Sequence, residues 1–215
     1  MHDKKYLGQQ FFLMMLGNIV IGLCVGLYRL SELGVDACTG MNLGISGFLN
    51  MSFGNWQLIC NILILIVVFF TIRSCICLGT VVNMVGVGYI ADFLCWLVQD
   101  VAGLELHLVL RLIVMTAALV CAPLGVALYM KADMGISPYD SVAPIIERLT
   151  KGKVPFQKAR VLSDIVALII GVTFCLMAGN NVWHIVGIGT VCNAVITGPI
   201  IQFFRTKVDK LIGDI

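Results

Sequence analysis

The feature that most constrains this chain is a series of long apolar runs separated by short loops. A helix needs roughly 20 apolar residues to cross a bilayer core about 30 Å thick. In lipid the backbone must satisfy its own hydrogen bonds, so each run is predicted to be a helix. Six spans are predicted: Phe11–Tyr28, Trp56–Ile72, Leu78–Val98, Leu108–Met130, Val161–Ala178 and Trp183–Phe204.

Composition supports one membrane domain over residues 1–215. Hydrophobic residues make up 60% of the chain and charged residues 12%, whereas a soluble domain usually has about a quarter of its residues charged. A net charge of +2 gives no reason to expect a nucleic-acid partner. No Walker A, HExxH or GxSxG pattern occurs, and the nine cysteines lack zinc-ligand spacing. We therefore expect neither an enzyme nor a metal or cofactor.

Charged loop residues predict the orientation of the spans. Basic residues concentrate in cytoplasmic loops of inner-membrane proteins. With both termini in the cytoplasm, only Arg29 and Arg111 of the 14 basic residues lie outside. The others fall on the cytoplasmic side: Lys4, Lys5, Arg73, Lys131, Arg148, Lys151, Lys153, Lys158, Arg160, Arg205, Lys207 and Lys210.

One segment does not fit a simple series of spans. Residues 37–72 carry no charge, yet they are barely enough for two spans and contain Gly40, Gly44, Gly47 and Gly54. Glycines disfavour an unbroken helix. We interpret Gly34–Asn50 as a short re-entrant or interfacial helix.

The two halves of the chain resemble each other. Glu32-Leu33-Gly34-Val35 matches Asp133-Met134-Gly135-Ile136 at an offset of 101. Gly79-Thr80-Val81-Val82-Asn83 matches Gly189-Thr190-Val191-Cys192-Asn193 at an offset of 110. We predict two repeats, over about residues 8–100 and 106–206.

The odd number of spans in each half decides how the repeats relate. Three spans per half place the second half in the membrane with the opposite orientation. Inverted repeats with broken helices at matching positions are typical of many secondary transporters. The predicted fold is therefore six transmembrane helices in two inverted three-helix repeats, each with a short hairpin helix.

Two motifs resemble those of a known family. Gly135-Ile136-Ser137-Pro138-Tyr139-Asp140 resembles the G-x-x-P-[W/Y]-D motif of the YczE/YyaS/YitT group of bacterial integral membrane proteins. Gly187 to Asn193, followed by Gly198-Pro199, is similar to that group's second signature. The resemblance implies a bacterial inner-membrane protein of about this size with no established substrate. The first half departs from the motif, since Asp36-Ala37-Cys38-Thr39 stands opposite Ser-Pro-Tyr-Asp, so Asp140 has no clear counterpart there.

Asp140 is the first candidate for a substrate or coupling residue. It follows Gly135 and Pro138, which let the chain turn. A carboxylate there could bind a cation or accept a proton. It could equally cap a helix with no further function.

Two further aspartates lie in or beside predicted spans. Asp92 is inside the third span, where an ionisable side chain is a functional candidate, although it could also face water at the outer interface. Its repeat counterpart is Gln202. Asp164 stands four residues after Arg160, and this helical spacing favours a structural ion pair.

The matched GTVxN segments supply the remaining candidates. Thr80, Asn83, Thr190 and Asn193 could hydrogen-bond between helices that glycines bring close together. Alternatively, the two asparagines line one cavity between the repeats. Backbone candidates for the hairpins and for unwound segments near that cavity are Gly34, Gly135, Pro138, Gly198 and Pro199.

The function we predict from these features is a small secondary transporter or exporter of the bacterial inner membrane. Its partners would be the lipid bilayer, a small molecule or ion as substrate, and a second copy of the chain if it dimerises. The alternative is a non-transporting membrane subunit or scaffold that binds substrate for, or regulates, another membrane protein.

Overall fold

The structure is a computed structural model that describes residues 4–72 and 76–212. Its α-helices are α1 (Lys4–Ser31), α2 (Ala37–Leu49), α3 (Phe53–Thr71), α4 (Leu78–Trp96), α5 (Leu108–Ala132), α6 (Val142–Leu149), α7 (Phe156–Met177) and α8 (Ile188–Ile212). A π-helical segment, Leu97–Val101, extends α4. Short 3-10 helices, Tyr139–Ser141 and Val182–His184, precede α6 and α8. The described residues contain no β-strand.

Six helices of the described chain are long and apolar enough to cross a membrane. They are α1, α3, α4 with its π-helical extension, α5, α7 and α8. Many of their large apolar side chains are exposed, such as Leu63, Phe70, Ile113 and Ile169. Exposed apolar surface on this scale marks a molecule that meets lipid. The chain therefore has the architecture of a multi-pass helical membrane protein.

The interior of the bundle carries polar side chains. Those that are buried are Asn18, Ser31, Thr39, Asn42, Ser46, Gln57, Asn61, Thr80, Asn83, Ser141 and Thr190. Polar side chains of membrane helices usually face the bundle interior, where they find partners or line a pathway. The pattern of the fold is thus apolar outside and partly polar inside.

Two helix pairs join the halves of the chain. Helix α1 packs against α5 along much of its length, and a side chain at Gly17 would collide with the backbone of Gly125 and Tyr129. Helix α2 packs against α7, where a side chain at Gly44 would overlap the Gly171 carbonyl. Small residues permit this close backbone approach between membrane helices.

Helix boundaries differ from the predicted spans at both ends: α8, for example, begins at Ile188 rather than Trp183 and ends at Ile212 rather than Phe204. Helix α7 begins at Phe156, after Pro155 as the N-cap residue, so Arg160 lies inside the helix rather than in the preceding loop. Helix α1 extends beyond Phe11–Tyr28 at both ends. Arg73, which contributed to the predicted orientation, lies outside the described residues.

Candidate functional site

A group of polar side chains lies where α2, α7 and the turn before α6 meet. We call it the central polar cluster, and define it as Asp36, Cys38, Tyr139, Asp140, Arg160 and Asp164. The first two residues come from the first half of the chain, and the other four from the second. The cluster therefore lies on the boundary between the halves.

Arg160 is the only basic residue of the cluster, and it binds two carboxylates. Its Nη1 donates to Asp140 Oδ1 over 2.5 Å, and its Nε lies 3.4 Å from Asp164 Oδ2. The guanidinium also lies over the Tyr139 ring, 5.2 Å from the ring centroid. The expected Arg160–Asp164 pair is present, but it is part of a larger arrangement that includes Asp140.

The charged groups of the cluster remain partly accessible. The side chains of Arg160, Asp140 and Asp164 are 36%, 43% and 35% exposed. Tyr139 is buried, and its hydroxyl donates to Asp164 Oδ1 over 2.7 Å. Burial raises the pKa of the Tyr139 phenol, and so does Cys38 nearby. The cluster thus combines partly accessible charged side chains with the buried phenol of Tyr139.

Asp36 and Cys38 link the start of α2 to this network. Burial raises the pKa of Asp36; the two hydrogen bonds from Thr39 lower it, Asp164 raises it and Arg160 lowers it. Burial also raises the pKa of the Cys38 thiol well above its ordinary value, with smaller contributions from Asp36, Cys60 and Asp140. These interactions place both side chains within electrostatic range of the second half's charges.

The turns before α2 and α6 contain similar hydrogen bonds between an aspartate and a hydroxyl residue three positions apart. The order of the two residue types is reversed between the turns. In α2, Asp36 accepts from Thr39 N and Thr39 Oγ1 over 3.0 and 2.6 Å. In the other hairpin, Asp140 N donates to Ser137 Oγ, which donates to Asp140 Oδ2. At the offset of 101, Asp36 corresponds to Ser137 and Thr39 to Asp140. Asp140 thus has a structural counterpart, contrary to the sequence comparison, because acid and hydroxyl have changed places.

The predicted hairpin glycines each pack against the other half. Gly34 has φ 102° and Gly135 has φ 110°, values that favour glycine. A Cβ on Gly34 would lie 2.6 Å from Thr190 Oγ1, and one on Gly135 would lie 2.6 Å from Thr80 Oγ1. Each hairpin therefore packs against the GTVxN segment of the opposite half.

The hydroxyls of the two threonines in those segments each donate to a backbone carbonyl. Thr80 Oγ1 donates to the Ile136 carbonyl over 2.9 Å, and Thr190 Oγ1 donates to the Ile185 carbonyl over 2.8 Å. Both residues are buried. The Thr80 hydroxyl thus bonds to the opposite half of the chain, whereas the Thr190 hydroxyl bonds within its own segment.

The two matched asparagines differ in their partners. Asn83 Nδ2 donates to Asn18 Oδ1 over 2.7 Å, and both residues are buried. Asn193 Oδ1 accepts from Thr197, but its buried Nδ2 has no partner. Asn193 lies beside the Tyr28 hydroxyl, which is also without a partner. Asn83 thus joins α4 to α1, whereas Asn193 of α8 lies against Tyr28 of α1.

The proline-containing candidates divide into two groups. Pro138 is fully buried and begins the 3-10 turn that positions Asp140. The expectation of unwound backbone at Gly198 and Pro199 is wrong, because both lie inside the continuous helix α8. Membrane helices accommodate proline through local adjustment of neighbouring groups.

Asp92 belongs to a separate structural group within the first half. It binds Arg29 Nη1 over 2.6 Å and accepts from Gly54 N over 2.7 Å, at the start of α3. Arg29 also lies over the Phe53 ring. Asp92 therefore joins α1, α3 and α4, rather than facing water alone.

A surface cleft of about 770 Å³ lies elsewhere, beside the end of α1 and residues 103–107. Glu32 and Arg111 form an ion pair of 2.5 Å in this cleft, which Glu105 and His107 also line. Within residues 4–72 and 76–212, no three His, Cys, Asp or Glu side chains are grouped to hold a metal ion.

Comparison with known proteins identifies the family. The profile of a family of unknown function, DUF6198, matches residues 8–206. The chain belongs to this family. It is also 24% identical over 197 residues to the uncharacterized protein YyaS of Bacillus subtilis (strain 168), covering 91% of this chain and 92% of that protein.

The comparisons support one part of the resemblance that the sequence motifs indicated. YyaS is one of the three names in the group that the motifs resemble, and the wider grouping with YczE and YitT stays an expectation. No solved structure matches the chain. The comparisons therefore establish the family without naming an activity.

Proposed function

We propose that this protein is a small secondary transporter whose substrate binds at the central polar cluster. The observation that carries the proposal is that both halves of the chain contribute ionisable side chains to one partly accessible cluster at their boundary. In transporters with internal repeats, substrate and coupling ions bind at the interface of the repeats. Rocking one half against the other would expose the cluster first on one side of the membrane and then on the other.

Matched contacts between the halves support an internal two-fold relationship. Gly79 N donates to the Met134 carbonyl and Gly189 N donates to the Leu33 carbonyl, both over 2.8 Å. Gly189 follows Gly79 by 110 positions, and Met134 follows Leu33 by 101, the offsets of the sequence repeat. In the part of the chain that the structure describes, each half contains three helices that could span a membrane. Because three is an odd number, related halves would be inverted in the membrane.

The course of α2 supports a re-entrant helix. Its N-cap residue, Asp36, lies within electrostatic range of Asp164, in the third turn of α7. Gly40 lies near Leu168, and Gly47 lies near Asn180, beyond the end of α7. Helix α2 thus runs parallel to α7 and covers only its later part, as a half-span would.

The charge of the cluster indicates the class of substrate. Three carboxylates and one guanidinium leave a net negative site when all are ionised. Desolvated sites of one sign attract ions of the opposite sign. We propose a small amine cation as substrate, with Asp140 in contact with it.

Proteoliposomes loaded with a pH-sensitive dye test the proposal. Alkali cations, ammonium and a panel of simple amines are added outside, and the internal pH and the solid-supported-membrane current are recorded. We expect at least one amine cation to give a signal above empty liposomes, reduced at least about tenfold in Asp140→Asn.

Asp133→Asn is the matched control, since Asp133 is exposed and lies in the same hairpin. A signal that is identical in wild type and Asp140→Asn would remove the role of Asp140. Absence of any signal, together with stable co-purification of another membrane protein, would replace the transporter by the non-transporting subunit.

A further inference from the structure

The connection between α6 and α7 carries positive charge that no protein carboxylate neutralises. We call residues 148–158 the basic segment, and its four basic side chains are all exposed: Arg148, Lys151, Lys153 and Lys158. None of the four forms an ion pair within residues 4–72 and 76–212. With Glu147 included, the net charge is +3 when all five groups are ionised. An anionic partner could therefore bind here without displacing a protein carboxylate.

Hydrogen bonds to the last turn of α6 fix the backbone of the basic segment. Glu147 holds it at two points, because Gly152 N donates to its carbonyl over 2.9 Å and Phe156 N donates to its Oε1 over 3.2 Å. The Thr150 hydroxyl accepts from Val154 N over 3.2 Å. The backbone that carries the basic side chains is thus ordered before any partner binds, which lowers the entropic cost of binding.

Two exposed apolar side chains flank the lysines of the basic segment. Leu149, at the end of α6, is 67% exposed, and Phe156, at the start of α7, is 48% exposed. The part of α7 that could cross a membrane begins at Lys158, so Phe156 lies next to the boundary between lipid and water. Apolar side chains beside lysine and arginine are typical of segments that lie in the lipid headgroup region.

Helix α6 cannot carry this segment across the bilayer. It has eight residues, or about 12 Å of helix, whereas the hydrocarbon core is about 30 Å thick. The end of α5, helix α6 and the start of α7 therefore lie on one side of the membrane. The basic segment meets the lipid headgroups of that side.

The end of α8 lies on the same side and provides a comparison. Asp209 of α8 binds Lys131, at the end of α5, over 3.0 Å. Three exposed basic residues surround that aspartate: Arg205, Lys207 and Lys210. Lys207 also lies over the Phe203 ring, 5.7 Å from the ring centroid. This second basic region thus has the same number of lysine and arginine side chains as a triple variant of the basic segment would remove, but it contains a carboxylate among them.

We propose that the basic segment binds the headgroup of an anionic phospholipid, with Leu149 and Phe156 against its acyl chains. The lysine ammonium groups bind the phosphate as point charges. The 3-10 turn that contains Asp140 leads directly into α6, so a lipid bound at the end of α6 also holds that hairpin at the membrane surface. The inference is independent of the transporter proposal, because lipid binding needs no cation flux.

Lipid binding by the full chain, purified in a neutral detergent, tests the proposal. Native mass spectrometry counts the lipids bound as phosphatidylglycerol or phosphatidylcholine is titrated. One basic residue at a membrane surface strengthens binding to anionic lipid roughly fivefold. We expect phosphatidylglycerol to bind at least about tenfold more tightly than phosphatidylcholine. The triple variant Lys151→Gln, Lys153→Gln and Lys158→Gln should lose at least about tenfold in affinity for phosphatidylglycerol.

The matched control is the triple variant Arg205→Gln, Lys207→Gln and Lys210→Gln, which removes the same charge from the end of α8. Its affinity for phosphatidylglycerol should stay within about twofold of wild type. Equal losses in the two triple variants, or equal affinity for the two lipids, would overturn the proposal. Inorganic phosphate that displaces phosphatidylglycerol at similar concentrations would also overturn it, because the site would then take free phosphate.

Thermal stability in the same detergent gives a second measurement. A ligand that binds only the folded state raises the apparent stability. Phosphatidylglycerol should raise the Tm of wild type and of the α8 variant, and should leave that of the basic-segment variant unchanged. A rise of equal size in all three proteins would place the lipid elsewhere and contradict the proposal.

The double variant Leu149→Ser and Phe156→Ser tests the acyl-chain contact and leaves every charge in place. It should bind phosphatidylglycerol at least about threefold more weakly than wild type, because less apolar surface is buried against the lipid. Unchanged affinity would remove the two apolar side chains from the site.

Discussion

Arg160 holds two carboxylates of different origin, one from the hairpin before α6 and one from its own helix. Removing one member of such a group leaves the opposite charges without compensation. Because the three side chains are each about one-third or more exposed, solvent reduces the loss well below that of a fully buried pair.

Arg160→Gln should therefore lower the free energy of unfolding by about 1–2 kcal/mol, between the values typical of exposed and buried pairs. Adding Asp140→Asn and Asp164→Asn should restore much of the loss, because the uncompensated charges disappear. Lys158→Gln, at an exposed position in the same helix, should change little. Unfolding in mixed micelles measures all three, and a triple variant less stable than Arg160→Gln would contradict this account.

At the residue scale, sequence reasoning found part of the site. Asp140 and the Arg160–Asp164 spacing could be read directly, whereas Asp36 and Cys38 could not be recognised before α2 was placed against α7. A signal for Asp36 was nevertheless present in the repeat offset, which pairs it with Ser137. Matching of residue types does not detect this correspondence, because acid and hydroxyl have exchanged places between the two hairpins.

At the scale of elements, the turns at Gly34 and Gly135 each contact the opposite half of the chain. Gly34 and Gly135 combine positive φ with close contact to a threonine of the opposite half. Gly103 also has positive φ, 57°, but has no heavy atom within 4 Å of its Cβ position. Gly103 therefore has a positive φ without a neighbour, whereas Gly34 and Gly135 have both a positive φ and a contact with the opposite half.

Gly103→Ala should cost about 1–2 kcal/mol of unfolding free energy, the usual penalty for a left-handed alanine. Gly34→Ala and Gly135→Ala should each cost about 1–3 kcal/mol more, because the added methyl group also displaces a buried neighbour. The measurement is again unfolding in mixed micelles. Equal losses for all three variants would mean that the contacts to Thr190 and Thr80 contribute little.

The lengths of the apolar runs predicted the six helices of the described chain that could span a membrane. Hydropathy averaged over about 20 residues is a strong signal for such helices. It placed the start of α7 too late, since the polar first turn of that helix carries Lys158 and Arg160. The proposed break at Gly198 and Pro199 failed for the opposite reason, because glycine and proline do not by themselves interrupt a membrane helix.

For the whole molecule, the proposed transport requires the boundary between the halves to move. The halves meet through α1 with α5 and through α2 with α7, and the central polar cluster lies beside the second contact. A transporter must open that cluster to each side of the membrane in turn, whereas a scaffold needs no such change. Accessibility of the cluster from both sides is therefore the decisive property, and it can be measured before any substrate is known.

Cys38 offers a native probe of this property, because it lies in the cluster and burial raises the pKa of its thiol. The other eight of the nine cysteines are replaced by alanine, and a membrane-impermeant thiol reagent is applied at alkaline pH to spheroplasts and to inverted vesicles. Labelling is compared with the same chain dissolved in SDS. The account predicts that Cys38 is labelled from both sides of the membrane, and labelling from one side only, or from neither, would contradict it.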